Sequence, residues 1–467
     1  MAWPGSLAAP GQGRRIGDWT LFAVAAVYVL PLAGLLYWRP VYGIVYGAAP
    51  LALLLISHGP LAIAAVIVAS FFYFPMPGEI ALLPADMAAF ALIAAYLVDL
   101  LVRRPIHAPN PIARAYLLYL LVMLLSIALE IFTPLSVRYF LRQVVLFGTF
   151  MAAAHFGRSG IARKILIVYV VAAAVNSIIA LIQFLPSGGG VRAFGLAGRG
   201  FGDHAMLALV IGAVFFLWSR DLRWRLFWGI SAAFAAGGIV ATQTRASAIT
   251  AGWCLLIVLM LTLWKGRDID LRIPYRNLAI AAVLAVIIVP ILVFYTPVFS
   301  GIAHRFGRLG PQARETVLLR VTLWKAALAA FSANPLFGIG AGNFPAVSQW
   351  VPTVRFDPIF YMVSGLSTHA VLMTALAETG IAGVASLAWF FWRALRTVWR
   401  NLTAVVSEAE TPTAISLTAI AVAVVGSLFY AGSWFWGNNS YHMAVFFGLI
   451  ASCAHRPAEE PAGEARR

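Results

Sequence analysis

The sequence predicts an all-α, polytopic integral membrane protein, and two observations lead to this prediction. Hydrophobic residues make up 62% of the 467-residue chain, charged residues only 11%, and the mean hydropathy is +0.89. One water-soluble core cannot bury that much apolar surface. Apolar runs of about 20 residues, which cross roughly 30 Å of hydrocarbon as a helix, also recur along nearly the whole chain. We therefore expect one helical membrane unit with no separate soluble domain.

The apolar runs predict about 12, and up to 14, transmembrane helices. Two runs are short and contain or adjoin Pro50 and Pro60. The count of 12 treats these two runs as interfacial or re-entrant segments. The candidate spans are 17–37, 41–57, 59–75, 82–102, 112–132, 138–157, 163–184, 202–218, 225–243, 246–264, 277–297, 369–395, 412–431 and 435–453. The predicted organisation is N-terminal transmembrane helices (1–297), a long external loop (298–368), C-terminal transmembrane helices (369–453) and a cytoplasmic tail (454–467).

Basic residues predict the sidedness of the protein. Most Lys and Arg lie in one set of alternate loops, which places these loops and both termini in the cytoplasm. The opposite face nevertheless carries Arg138, Arg142, Arg192, Arg199, Arg245, Arg305, Arg308, Arg314, Arg320, Lys325 and Arg355. Lys and Arg normally stay on the cytoplasmic side, so basic residues on the opposite face indicate a polyanionic ligand there. The guanidinium fork of arginine suits phosphate oxygens. Attraction to anionic lipid headgroups is the alternative.

The long external loop contains an amphipathic segment and a glycine-rich break. Residues 314–331 carry apolar side chains at helical intervals, which predicts an amphipathic helix lying on the outer membrane surface. The segment "NPLFGIGAGNF" (334–344) then interrupts the helix. Its glycines superficially match a dinucleotide-binding loop, but no strand precedes them. We expect them to let backbone approach backbone, or a sugar, closely.

Two further external segments combine arginine with small polar residues. In "ATQTRASA" the hydroxyl and amide side chains beside Arg245 favour a buried polar pocket, although an arginine at this depth also serves as a snorkelling anchor. In "VRAFGLAGRGFGDHAM" the residues Arg192, Arg199, Asp203 and His204 share a glycine-punctuated loop ahead of a span. Two arginines in such a loop favour a phosphate cradle over a spacer.

His369 opens a long apolar run in "LSTHAVLMTALAETG" (366–380). Glu378 lies nine residues later, half a turn round a regular helix and ~13 Å deeper, so the two side chains cannot form a dyad. The positive end of the helix dipole disfavours protonation of the imidazole, which favours a base over a permanent cation. The alternative is an interfacial histidine that takes no part in chemistry.

Other kinds of site find less support in the sequence. The two cysteines, Cys254 and Cys453, lie inside apolar runs, and no histidines, cysteines or carboxylates have metal-ligand spacing. The chain also lacks a P-loop, so we expect chemistry without metal, ATP or another cofactor. Asp86, Asp99 and Glu130, in or at the ends of spans, raise a proton-coupled transporter as an alternative.

Three motifs carry a resemblance to a known family. They are "RAFGLAGRGFGDHAMLAL", "TQTRASA", and the series Arg320-x3-Trp324-x2-Ala327, "NPLFGIGAGNF" and "STHAVLMTALAETGIAG". Over about residues 190 to 385 the chain resembles the bacterial O-antigen ligase and polymerase superfamily (Wzy/WaaL type). The resemblance implies a GT-C-like fold and a metal-independent, inverting glycosyltransferase with its active site on the periplasmic face of the inner membrane.

The resemblance also implies substrates. The family transfers polysaccharide from an undecaprenyl pyrophosphate donor; ligases place it on lipid A–core, whereas polymerases extend another lipid-linked unit. The excess of external arginine favours the ligase, because lipid A–core is heavily phosphorylated. Membrane lipids are expected partners, and nucleic acid is not. A transporter or flippase of lipid-linked sugars is the alternative from another class, but the sequence lacks the internal symmetry that it would require.

On this resemblance, His369 is expected to be the general base, with Arg245 and Arg320 as catalytic groups at the pyrophosphate. The residues expected to bind substrate are Arg192, Arg199, Arg138, Arg142, Arg314 and His204.

Overall fold

The computed structural model describes residues 52–73, 84–103, 110–130, 132–157, 159–187, 191–267, 275–280, 309–348, 367–429 and 439–453, with the backbone alone at 103, 159, 199, 309–317 and 439. Every regular element in these segments is helical. The helices are α1 (Gly59–Ala69), α2 (Pro84–Arg103), α3 (Pro111–Leu129), α4 (Pro134–Phe156), α5 (Ser159–Phe184), α6 (Phe201–Trp218), α7 (Leu222–Thr242), α8 (Arg245–Gly266), α9 (Leu309–Ala333), α10 (Phe344–Ser348), α11 (Val371–Ala404), α12 (Thr411–Ser427) and α13 (Asn439–Cys453). Short 3-10 turns occupy Leu185–Ser187 and Gly198–Gly200, and residues 52–57 and 275–280 are also helical.

The chain is a multi-pass membrane protein. Within the described residues, seven helices are long and apolar enough to cross a membrane: α2, α3, α5, α6, α7, α8 and α11. Helix α4 has 23 residues, a rise of about 35 Å, but it carries Arg138 and Arg142 in its first half. The all-α polytopic fold class predicted from the sequence is therefore confirmed.

Most predicted spans coincide with helices. The spans 82–102, 202–218 and 225–243 match α2, α6 and α7 to within three residues at each end. Within the described part of the predicted span 59–75, only α1 is helical. Its 11 residues rise about 16 Å, and Pro60 lies in its first turn. Such a helix is shorter than the hydrocarbon layer, in agreement with the expectation that this run need not span.

Several sequence-based predictions lie outside the described residues. They are the span 17–37, most of the spans 41–57 and 277–297, the loop segments 298–308 and 349–366, and the tail 454–467.

Helix α6 lies at the centre of the bundle. Helices α5, α7, α8 and α12 all pack against it, and most of its side chains are buried. A helix that is apolar on all sides suits either lipid or a protein interior, and most of α6 lies against protein. At Gly212 a Cβ would lie 3.1 Å from the Cβ of Ala232, so the missing side chain lets α6 and α7 approach closely.

Backbone hydrogen bonds join neighbouring segments at one end of the bundle. The Ala193 N–H donates to the Ala241 carbonyl (3.0 Å), which ties the α5–α6 connection to the end of α7. The Leu372 N–H donates to the Leu428 carbonyl (3.3 Å), which joins the start of α11 to the residue after α12. We call this end, where α4, α6, α8 and α11 begin, the site end.

Different contacts close the opposite end. The Asn110 side chain donates to the Ala451 carbonyl (3.3 Å), and Lys265 Nζ donates to the Thr403 carbonyl (3.5 Å). These bonds join the start of α3 to the end of α13, and the end of α8 to the end of α11. The helices therefore alternate in direction as the basic-residue pattern predicts, whereas which end faces the cytoplasm stays a prediction.

Helix α9 confirms the helix predicted at 314–331, but its apolar stripe has a different environment from the one expected. Leu323, Ala326 and Ala327 are fully buried in a small cluster with Phe344 and Ala377. This part of the stripe faces protein instead of the outer membrane surface, because α11 and the segment after α9 provide a closer apolar partner. This buried contact attaches α9 to the helix that His369 precedes.

Candidate active site

The glycine loop, residues 334–343, lies against a break in α11. Gly380 has φ 62° and interrupts the helical backbone there. Three backbone bonds cross between the two segments. They are Ile339 N–H to the Ala377 carbonyl (2.9 Å), Ile381 N–H to the Pro335 carbonyl (3.0 Å) and Ala382 N–H to the Leu336 carbonyl (3.2 Å). The break thus frees backbone groups of α11 to hold the loop that follows α9.

Two glycines make this contact possible. Gly338 has φ 68°, and a Cβ there would lie 2.4 Å from the carbonyl carbon of Glu378. A Cβ on Gly380 would lie 2.5 Å from the carbonyl group of Leu336. Both distances are shorter than any tolerated contact, and neither backbone can move away independently. Close approach of backbone to backbone, one of the two roles expected for the loop glycines, is therefore confirmed for Gly338.

We expect Gly338→Ala to destabilise the protein by about 2 kcal/mol, because it adds left-handed strain and a backbone clash. The measurement is thermal unfolding of the purified protein in detergent. Gly252→Ala is the matched control, since no atom lies within 4 Å of the added methyl and alanine favours a helix by about 0.5–1 kcal/mol. Equal unfolding temperatures for the two variants would contradict this account of the loop.

Glu378 anchors the glycine loop instead of serving His369. Its buried carboxylate accepts the Phe344 N–H (Oε1 to N, 3.1 Å) and a backbone hydrogen bond from Gly342. The Ser126 hydroxyl on α3 lies 2.7 Å from both the Phe337 and the Glu378 carbonyl oxygens, which share its single proton. The backbone before Gly380 is helical, so the structure agrees that Glu378 and His369 do not form a dyad.

Side chains around the α3–α4 connection hold the ends of the same loop. Asn334 Nδ2 donates to Glu130 Oε2 (2.8 Å). Thr133 and Ser136 both donate to Asn343 Oδ1, at 2.7 and 2.6 Å. The loop is thus fastened to α3, α4 and α11 together, and α9 is held beside the site end.

His369 has a left-handed backbone. Its φ is 55°, and it lies between Thr368 and Ala370 immediately before α11. Only one other non-glycine residue in the described part of the chain has a positive φ, Gln243 at 50°, two residues before Arg245. Such a conformation costs roughly 1–2 kcal/mol and persists where surrounding contacts enforce it. Both of these residues fall in or beside the predicted site.

Arg320 and His369 come together although they are far apart in the sequence. Loss of hydration and then the positive charge of the nearby Arg320 both lower the pKa of His369 below its ordinary value. The imidazole still reaches solvent, so a substrate can approach it. Burial also lowers the pKa of Arg320, which nevertheless stays charged. A neutral imidazole beside a fixed cation can accept a proton next to a bound anion.

Arg245 is the exposed first residue of α8 at the site end. Ser247, one half-turn later, donates to Asp203 on α6 (2.8 Å), which fixes the start of α8 against the start of α6. The same helix contacts α12 deeper in the bundle, where Trp253 meets Gly426. Because the residue after α12 bonds to the start of α11, α12 contacts both the helix that Arg245 begins and the helix that His369 precedes.

The loop of Arg192 is held by its backbone. The Leu196 N–H donates to Asn176 Oδ1 (2.7 Å) and the Gly195 N–H donates to Gln183 Oε1 (3.1 Å), so α5 supports the loop from below. Arg192 itself is exposed at the site end. The side chains predicted with it, Arg199 in the turn Gly198–Gly200 and Arg314 in α9, lie outside the described part of the structure.

Arg138 and Arg142 lie in the first half of α4. Arg138 is exposed and lies two residues after Ser136, which holds the glycine loop. Arg142 lies with its guanidinium 5.7 Å from the centre of the Tyr441 ring, and the Tyr441 hydroxyl donates to Asp86. Both arginines are at the site end, with Arg142 directed toward α13.

His204 is placed differently from the sequence-based expectation. It lies in the first turn of α6 instead of the preceding loop, and its side chain is 0% exposed. The Tyr169 hydroxyl lies 3.3 Å from its Nδ1, and its ring is 5.0 Å from Phe71 and 4.2 Å from His442. We leave His204 out of the proposed substrate contacts because an enclosed imidazole cannot reach a substrate without rearrangement.

The acids that raise the transporter alternative all have partners. Asp86 accepts from Tyr441, Asp99 lies 2.7 Å from His155 Nε2, and Glu130 accepts from Asn334. These pairs account for the acids as structural groups. Within the described residues no three His, Cys, Asp or Glu side chains are grouped as metal ligands, and metal independence stays a prediction.

The sequence-based reasoning did not assign several residues that build the site. Asn343 and Thr133 hold the glycine loop, and Gln243 and Thr368 precede Arg245 and His369 in the chain. The available signal was their position, since Asn343, Gln243 and Thr368 are polar residues inside motifs already singled out.

Comparison with known families gives one match, which covers part of the chain. Residues 230–388 match the family described as O-antigen ligase. The match runs from α7 through α9 into α11 and includes Arg245, Arg314, Arg320 and His369, whereas the arginines of α4 and of the α5–α6 connection lie outside it. No curated protein matches the chain. The matched segment, which contains Arg320 and His369, supports placing the chain in the O-antigen ligase and polymerase superfamily.

Proposed function

We propose that the protein is an O-antigen ligase that transfers polysaccharide from undecaprenyl pyrophosphate to lipid A–core. One observation carries the proposal: Arg320 lies beside the solvent-accessible imidazole of His369, at the start of a membrane helix. A cation and a neutral base side by side suit a reaction in which a hydroxyl loses its proton while an anionic group leaves.

In the proposed step His369 takes the proton of an acceptor hydroxyl. The acceptor oxygen forms a bond to the anomeric carbon of the donor sugar, and the bond from that carbon to the pyrophosphate oxygen breaks. Undecaprenyl pyrophosphate leaves with the electron pair and gains negative charge. Attack on the face opposite the leaving group inverts the anomeric centre. Arg320 and Arg245 stabilise the growing charge more in the transition state than in the ground state.

Five further arginines are proposed to act in binding. Arg138, Arg142 and Arg192 lie at the same end of the bundle and are proposed, with Arg199 and Arg314, to hold donor or acceptor phosphates. The site end then faces the periplasm from the inner membrane, with both termini in the cytoplasm. The proposed domains keep the boundaries 1–297, 298–368, 369–453 and 454–467.

The choice of a ligase over a polymerase rests on charge. Lipid A–core brings several phosphates of its own, and the site end presents more arginines than a single pyrophosphate requires. The family match supports either activity. A polymerase is therefore the second candidate, with the same base and the same leaving group but a lipid-linked acceptor.

A gel of lipid-linked glycans separates the two activities. We expect cells that lack the gene to accumulate long chains on the lipid carrier, because polymerisation continues without transfer to lipid A–core. Accumulation of single repeat units would instead identify a polymerase. Purified protein that joins donor to acceptor in detergent, without a membrane gradient, would exclude transport; failure to do so with both acceptors would overturn the proposed transferase.

A further inference from the structure

We propose that Trp324 and Thr368 are positioning residues that hold the backbone of His369 in its left-handed conformation and thereby keep the imidazole beside Arg320. This inference rests on the proposed function, because it concerns the geometry of the proposed base. Neither residue is expected to touch a substrate.

The first link runs from α9 to the peptide that precedes His369. The indole Nε1–H of Trp324 donates to the Thr368 carbonyl oxygen at 3.2 Å. Arg320 lies four residues before Trp324, so the two side chains share one face of α9. That face therefore offers a hydrogen-bond donor to the backbone beside His369 and a positive charge to its ring.

The second link closes a turn around His369. The Thr368 hydroxyl oxygen accepts the Ala370 N–H at 3.2 Å and lies 2.7 Å from the Ala370 carbonyl oxygen. It also lies 2.7 Å from the Thr374 hydroxyl, in the first turn of α11. Thr368 is 0% exposed, so no solvent competes for these bonds. Both neighbours of His369 are thus fixed while the imidazole itself stays exposed.

We call the hydrogen bonds made by Trp324 and Thr368 the clamp. The left-handed conformation of His369 explains why the clamp is needed. An ordinary residue relaxes to a negative φ when its neighbours are released, and this rotation changes the direction of the Cα–Cβ bond. The imidazole would then turn away from Arg320 while the helices of the bundle keep their places. Loss of the clamp is therefore expected to affect the chemical step more than the fold.

The packing of α9 against α11 keeps Trp324 in a fixed position relative to the turn at His369. Leu323 and Ala327, beside Trp324 on α9, are buried against the glycine loop and α11. The glycine loop fixes the end of the same helix through Glu378. Trp324 thus projects from a helix that is already attached to α11, and its hydrogen bond transmits that attachment to the turn at His369.

The test compares conservative variants in a purified transfer assay with lipid-linked donor and lipid A–core acceptor. Trp324→Phe keeps an aromatic ring and removes the N–H donor; Thr368→Val keeps the shape and removes the hydroxyl. We expect each to lower kcat about 10- to 100-fold with little change in KM, as a misplaced catalytic group does. Thr368→Ser, which restores the hydroxyl, should recover most of the rate.

Trp392→Phe is the matched control, because Trp392 is 58% exposed on α11 and is expected to leave kcat unchanged. Wild-type kcat in both Trp324→Phe and Thr368→Val, with His369→Ala inactive, would overturn the positioning role alone. A change confined to KM would also overturn it. If His369→Ala is itself active, the proposed base is wrong, and the two failures are thereby distinguished.

Discussion

Replacement of His369 by alanine is expected to lower the rate of glycan transfer about 10²–10⁴-fold while the protein still folds and inserts. The imidazole is the only group proposed to remove the acceptor proton, and its exposed position means that its loss leaves little packing disturbed. The measurement is transfer per folded protein, with insertion checked by protease protection and by the unfolding temperature.

The left-handed backbone of His369 requires a second pair of variants. Asparagine tolerates this conformation better than most residues, and glycine adopts it freely. We expect His369→Asn and His369→Gly to be as inactive as His369→Ala, because none of the three supplies a base. Recovery of transfer in either variant would mean that the position matters for backbone shape and not for proton transfer. His58→Ala, an exposed histidine at the opposite end of the bundle, is the matched control and should transfer normally.

Replacement of Arg320 by glutamine should lower kcat about 10²–10³-fold, the usual cost of removing one group that stabilises developing charge. The substitution should also shift the pH dependence of glycan transfer. Only the neutral imidazole can accept a proton, so transfer falls as the pH drops through the pKa of His369. Arg320 helps to lower that pKa, and its removal raises the pKa toward the ordinary value of about 6.5.

The acidic limb of the kcat/KM profile is therefore expected to shift to higher pH in Arg320→Gln. Lys325→Gln removes one positive charge from the exposed face of the same helix and should leave both rate and profile unchanged. An unshifted limb in Arg320→Gln would show that His369 is not the titrating base. Arg245→Ala should lose transfer as well, and wild-type transfer in both Arg245→Ala and His369→Ala would refute the proposed site.

Local features of the sequence predicted the elements of the structure well. Apolar runs predict helices such as α2, α6 and α7 because the length and composition of a span are set by the hydrocarbon layer. The helical spacing of apolar residues in 314–331 predicts α9, because this spacing is also a property of the local sequence. The structure differs from the prediction where a neighbour decides the environment: part of the stripe of α9 faces protein, and His204 is enclosed between helices.

By itself, the sequence determined the membrane class, most helix positions, the break at the glycine loop and the residue types available for chemistry. Composition, periodicity and glycine content are local properties, and they remain the same whatever the chain packs against. Only the tertiary structure decided which residues meet. Arg320 comes near enough to His369 for its charge to act on the imidazole, Glu378 holds Phe344, and Trp324 bonds to Thr368, because the break at Gly380 lets α9 and its loop lie against α11. Contacts between distant segments depend on how whole helices pack, which no local pattern specifies.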